Sequence, residues 1–198
     1  MAEVTALAAE ARARAGKGTA RQTRRAGRVP AVIYGNKEPA VMISLDYFAF
    51  DRILKRPGLF NHLIDLSVDG TTYRVLPRDV QLDPVTDRPL HVDFLRVGAE
   101  TRLTVDVPCE FINAEKCPGL RRGGVLNIVR HTVEVTCLAT AIPEQLVVNL
   151  EGFDAGDSIH ISTVTMPEGV RPTITDRDFT VATIASPSGM KSDEASAA

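Results

Sequence analysis

Arg12, Arg14, Lys17, Arg21, Arg24, Arg25 and Arg28 crowd one short stretch of the chain, with no acidic residue among them. Their spacers are Ala, Gly, Thr and Gln, so the stretch has almost nothing apolar to bury and cannot build a core. Its chemistry is anion capture. Each guanidinium offers a planar fork of donors matched to phosphate oxygens, and Gly16, Gly18 and Gly27 let a backbone approach a phosphate closely. Phosphate backbones are the commonest polyanion such a stretch meets in a cell; a solvated helix face or flexible arm is the plainer alternative. The run AGKGT hints at a nucleotide-binding loop. That pattern fails, because Ala11 stands where the leading Gly is needed and Gly18 where Ser or Thr should follow the lysine.

His91 and Asp93 lie two apart in LHVDF. On a strand they share one face, while Leu90, Val92 and Phe94 take the other. Beside a basic surface, Asp accepts from a base amino group or a 2′-hydroxyl, and His donates to a neighbouring oxygen. The rival readings of the pair, which base recognition outweighs, are a simple polar contact and a catalytic set with a cysteine nucleophile. Cys109, Cys117, His131 and Cys137 lack the C-x2-C knuckle of a zinc site, so neither metal nor cofactor is expected. Cys109 and Cys137 fall on the apolar side of their strands, where a thiol behaves as a small hydrophobe. Only 5% of residues are aromatic and the RNP aromatic motif is missing, so base stacking is not expected to dominate. A structured RNA, read through backbone shape and groove edges, suits this chemistry better.

The elements that position these residues are mostly strands. VPAVIYG (29–35) and AVMISL (40–45) are compact apolar strands, and Asp46 is placed to cap a helix from Tyr47 to Arg56. HLIDLSV and TYRVLPRDV flank Asp69-Gly70, a hairpin signal, and LHVDFLRV (90–97) is another strand. Thr19 is placed to cap a short helix ending at Gly27, with Arg21, Arg24, Arg25 and Arg28 along one side. The opening segment EVTALAAEARA reads either as a helix, from its alanines, or as an edge strand through the alternation of Val4, Ala6 and Ala8. After Ala99 the strands lengthen: Leu103, Val105, Val107, Cys109 and Phe111 face one way, and Val133, Val135 and Cys137 repeat the pattern. PGLRRGG (118–124) reads as a mobile loop, and QLVVNL, SIHIS and FTVATI complete an all-β half.

The 198-residue chain carries a net charge of −2, divided as +4 over residues 1–98 and −6 over 99–198. One basic face near the start, joined to a part with a different task, accounts for that asymmetry. The expected domains are 1–98, binding RNA, and 99–186, a second β domain, followed by a disordered tail at 187–198. No apolar run approaches a membrane span and no signal-peptide order is present, so a cytoplasmic protein is expected. Three cysteines in a chain this long suggest reduced thiols.

Three segments in order, GKGTARQTRRAGRVPAVIYG (16–35), RDVQLDPVTDRPLHVDF (78–94) and GGVLNIVRHTVEV (123–135), resemble the bacterial 5S-rRNA-binding ribosomal proteins numbered twenty-five in the large subunit, in their long, Ctc-type (general stress protein) form. The resemblance covers roughly residues 3–185. It implies a mainly β chain, with a six-stranded barrel-like RNA-binding domain bearing short helices and then a second, all-β sandwich-like domain. It implies docking on the loop E region of 5S rRNA at the central protuberance, beside neighbouring large-subunit proteins and rRNA, with no small-molecule substrate. Carried over by motif, Arg12, Lys17, Arg21 and Arg24 would meet phosphates, with Arg25 and Arg28 in the same basic stretch. Tyr34, Arg78, His91 and Asp93 would sit at the groove; some relatives have a neutral Gln in place of Arg78. The resemblance also resolves the opening segment as a strand. The reading is a non-catalytic structural ribosomal protein. Its rivals are a stress-induced RNA-binding adaptor only transiently on ribosomes, and a Cys/His hydrolase built from Cys109, Cys117, Cys137, His131 and His160.

Overall fold

The computed structural model describes residues 5–56, 58–98 and 101–186; the expected disordered tail lies outside them. The chain divides into two compact units. The first runs to Val105 and takes back Cys137–Glu144, while the second holds Asp106–Thr136 and resumes at Gln145. No helix of the described residues is long and apolar enough to cross a membrane.

In the first unit six strands close into a barrel: β1 (Thr5–Ala11), β2 (Arg28–Gly35), β3 (Glu38–Asp46), β4 (Ile64–Val68), β5 (Thr71–Leu82) and β6 (Pro89–Arg96). Their order around the barrel is β1-β3-β2-β6-β5-β4. Alternate side chains such as Ile33, Ile43, Leu66, Val75, Val92 and Phe94 are fully buried and fill the interior. β1 runs parallel to β4, and β2 parallel to β6. The β4–β5 hairpin turns on Asp69 and Gly70, with φ of 48° and 86°. Two positive φ values are what a tight two-residue hairpin turn requires.

The opening segment is a strand, but not an edge strand with Ala6 and Ala8 inward. It pairs on both sides, and its buried residues are Leu7 and Ala9. Barrel closure decides this: both edges are used, and the larger Leu7 sets which face turns in.

Two helices decorate the barrel, α1 (Lys17–Arg25) and α2 (Tyr47–Leu54). The Asp46 side chain caps α2 by accepting from the Ala49 amide at 2.9 Å. Phe50 and Ile53 of α2 are buried in the barrel core, where Phe50 meets Phe94 edge to face at 6.4 Å. α2 ends two residues before Arg56, with Lys55 as its C-cap.

The remaining strands are β7 (Arg102–Ile112), β8 (Val125–Ile128), β9 (Thr132–Leu138), β10 (Leu146–Asn149), β11 (Ser158–His160), β12 (Arg171–Pro172) and β13 (Thr180–Ala185). They form one sheet in the order β10-β7-β9-β12 and another in the order β11-β13-β8. The alternation anticipated from the sequence holds for Leu103, Val105, Val107, Val133, Val135 and Cys137, all buried. It fades at Cys109 and Phe111, which are half-exposed. PGLRRGG is only partly a loop, since just Arg122–Gly124 lie outside helix. Pro118 opens a single helical turn, α3 (Pro118–Arg121), and a Cβ at Gly119 would lie 2.6 Å from the Ala155 nitrogen. That approach of two backbones, with an Arg122–Asp154 ion pair beside it, fixes the segment.

Candidate nucleic-acid interface

α1 is a helix without a hydrophobic reason to exist. None of its nine residues is buried, and its first turn has no acidic residue. A helix this short is marginal alone, and α1 is held by its ends. Gly16, not Thr19, occupies the N-cap, and the helix begins two residues before Thr19. The Thr19 hydroxyl is spent donating to the Gly16 carbonyl at 2.9 Å, so it caps no amide. At the other end Arg24 Nε donates to the Leu90 carbonyl at 2.9 Å. The Tyr47 amide donates to the Gly27 carbonyl at 3.1 Å.

Lys17, Arg21 and Arg25 therefore stand at i, i+4 and i+8 on an exposed ridge. Among the described residues, no carboxylate lies within ion-pair distance of them, nor of Arg12, Arg14 or Arg24. Like charges at this spacing each cost a few tenths of a kcal/mol; Arg25, in the last turn, recovers part of that from the helix dipole, but no carboxylate among the described residues pairs with the ridge. Arg12 follows β1, half-buried, with Nη2 reaching the Thr19 hydroxyl and the Arg14 carbonyl at 3.4 Å each.

Arg28 is not the fourth member of a helical row. The helix has ended, and Arg28 opens β2. Its guanidinium is a clasp, with Nη1 on Glu10 at 2.9 Å, Nε on the Ser44 hydroxyl at 3.1 Å and Nη2 on the Ser44 carbonyl at 3.0 Å. It adds charge beside α1 but offers few free donors.

The His91–Asp93 pair is formed, with Nδ1 and Oδ1 2.7 Å apart and each side chain about one-third exposed (30% and 33%). The register brings further residues to this outer face. Asp93 lies beside Val32 of β2 and opposite Asp79 of β5, and His91 lies opposite Gln81. Tyr34, further along β2, is exposed beside Leu95. Asp79 and Gln81 went unremarked in the sequence; their alternation in RDVQL was the available signal. Arg78 is the residue skipped by a bulge between Pro77 and Asp79, and its Nη1 donates to the Thr104 carbonyl at 2.7 Å within the first unit. It thus stands apart from the regular row containing His91 and Asp93. The Arg24–Leu90 bond joins this row to α1, since it places the helix end one residue from His91.

The loop leading into β6 is stiffened by Asp83, which accepts from the Val85 and Thr86 amides at 3.0 Å each. The Thr86 and Val85 amides, with the Thr86 hydroxyl, hold this carboxyl below the usual carboxylate range.

The thiols point away from catalysis. Burial pushes Cys109 and Cys137 up, the direction opposite to an activated nucleophile. The Cys117 thiol is buried and donates to the Phe153 carbonyl. Among the described residues no histidine nitrogen is bonded to a thiol; His160 Nδ1 lies 3.3 Å from the Asp178 carbonyl.

Comparison with known proteins identifies the family of the chain. Residues 7–94 match the family model of the ribosomal L25p family, and residues 102–188 match that of the ribosomal protein TL5 C-terminal domain. A large ribosomal subunit protein bL25 from Chelativorans sp. is 54% identical over 98% of this chain and 93% of its own. The protein of that name from Rhodospirillum rubrum is 52% identical over all of this chain and 94% of its own. That from Mesorhizobium japonicum is 56% identical over 93% of this chain and 87% of its own. The barrel with its exposed basic helix, the TL5-type second half and these near full-length relatives together place the chain in the bL25 family of large-subunit ribosomal proteins, a structural family without enzymatic activity, in its long two-domain form.

Proposed function

We propose that the chain is a structural protein of the bacterial large ribosomal subunit, cytoplasmic and ribosome-bound, that binds 5S rRNA in its loop E region at the central protuberance. The observation that carries this reading is the bare basic ridge of α1. Lys17, Arg21 and Arg25 have neither apolar burial nor a carboxylate partner among the described residues. An array of cations maintained at a cost to its own helix is suited to a phosphate backbone.

Arg12, Lys17, Arg21, Arg24 and Arg25, with charge from Arg28, fix position on the backbone, and the strand row supplies discrimination. Phosphates repel the Asp93 carboxylate. It gains only where a base amino group or a 2′-hydroxyl donates to it. His91, 2.7 Å away, orients it. Tyr34 flanks the row, and Arg78 lies at its border. Neighbouring ribosomal proteins and rRNA complete the surroundings.

The test is charge reversal on the ridge. Arg21→Glu with Arg25→Glu leaves every bond described above intact, whereas changing Arg24 would also break its tie to Leu90. The double variant is expected to lose 5S rRNA in filter binding while its circular dichroism spectrum stays as in the wild type. Binding retained at full strength would move the site elsewhere.

A further inference from the structure

A groove of about 510 Å³ opens in the first unit between the end of α1, the start of α2 and the start of β6. Tyr47, Phe48 and Leu90 give it apolar surface, and Arg24 and Arg88 bring guanidinium groups to it. Its lining includes one carboxylate, Asp51, which is already paired with Lys55 at 2.6 Å.

Phe48 is 71% exposed. Its ring meets Tyr47 edge to face, with centroids 5.3 Å apart and planes at 82°, and the Arg88 guanidinium lies 6.0 Å from the centroid of Tyr47. An exposed aromatic ring in a groove that two guanidinium groups also line matches a partner that is flat, aromatic and anionic at its margins. A nucleotide has that combination: its base stacks on an aromatic side chain or a guanidinium plane, and its phosphates take the cations. Arg24 belongs to both α1 and the groove, so a strand lying along the basic ridge reaches the groove without leaving the protein surface.

We infer that this groove takes one extrahelical base of the bound RNA, stacked on Phe48, with its flanking phosphates on Arg24 and Arg88. The inference rests on the reading of α1 as a phosphate-binding surface. It adds one stacked base to recognition that otherwise runs through backbone and groove edges.

The experiment uses the full chain and 5S rRNA, with the variants Phe48→Ala, Phe48→Leu and Phe48→Trp and the Arg21→Glu/Arg25→Glu pair as control. Loss of one base stack weakens binding about 5- to 150-fold, and this is expected for Phe48→Ala and Phe48→Leu, while Phe48→Trp retains affinity. One base shielded from dimethyl sulfate or carbodiimide in the wild-type complex should become reactive with Phe48→Ala, while hydroxyl-radical protection of the backbone along α1 persists. Wild-type affinity and base reactivity in Phe48→Ala overturn the inference. So does wild-type binding by Phe48→Leu, which would show that apolar bulk, not an aromatic face, is recognised. If the charge-reversal pair fails to bind while Phe48→Ala binds normally, only the groove reading falls. If the pair also binds normally, the underlying function falls with it.

Discussion

Asp93 is an acid placed on the strand that the basic helix touches, and its worth depends on what it meets. If it accepts a hydrogen bond from a base or sugar, Asp93→Ala should weaken 5S rRNA binding by about 1–3 kcal/mol. Asp93→Asn, which keeps a carbonyl acceptor, should lose less. Equal affinity for wild type and Asp93→Ala would reduce the residue to a partner for His91. Asp46 tests a purely local reading: removing its cap on the Ala49 amide should lower stability by about 1 kcal/mol in a denaturant titration. Residues of this kind were legible because their chemistry is decided within three positions, as at the Asp46 cap and the Asp69-Gly70 turn. Arg28 was not legible as a clasp. Its partners, Glu10 and Ser44, are 18 and 16 residues away and meet it only after the barrel closes.

At the scale of elements, periodicity served wherever one face was buried. β1, β4, β6 from Val92 onward and the first half of β7 follow their alternation closely, whereas β2, β3 and β5 each bury three consecutive residues. It failed where burial came from neighbours instead of pattern. α3 exists because Gly119 and Gly124 allow backbones to approach, and β8 has only exposed or half-exposed residues, so neither announces itself. β1 was ambiguous because alanine suits both a helix and a crowded strand. The thiols of β7 and β9 carry a prediction with a definite sign. Burial raises Cys109 and Cys137 above the ordinary thiol range, so the unfolded chain gives up these protons first as pH rises. The stability they contribute is complete below the ordinary thiol pKa and is lost as pH climbs through the folded value. The melting temperature should therefore fall between neutral pH and about pH 10, and the Cys109→Ala/Cys137→Ala variant should show a shallower fall. An identical decline in both proteins would assign the effect to other groups.

For the molecule as a whole, the asymmetry of charge is the organising fact. A balance of +4 over residues 1–98 against −6 over 99–198 assigns the proposed phosphate contacts to the first half of the chain. Arg12, Lys17, Arg21 and Arg25 are four of the cations with no carboxylate partner among the described residues. If these four neutralise about four phosphates, the counterions they release set the salt dependence of binding. The most direct measurement is the affinity of the natively folded protein for isolated 5S rRNA over a range of monovalent salt. The account predicts tight binding in dilute buffer and a log–log slope of roughly −3; a slope near zero, or no binding in dilute buffer, would contradict it.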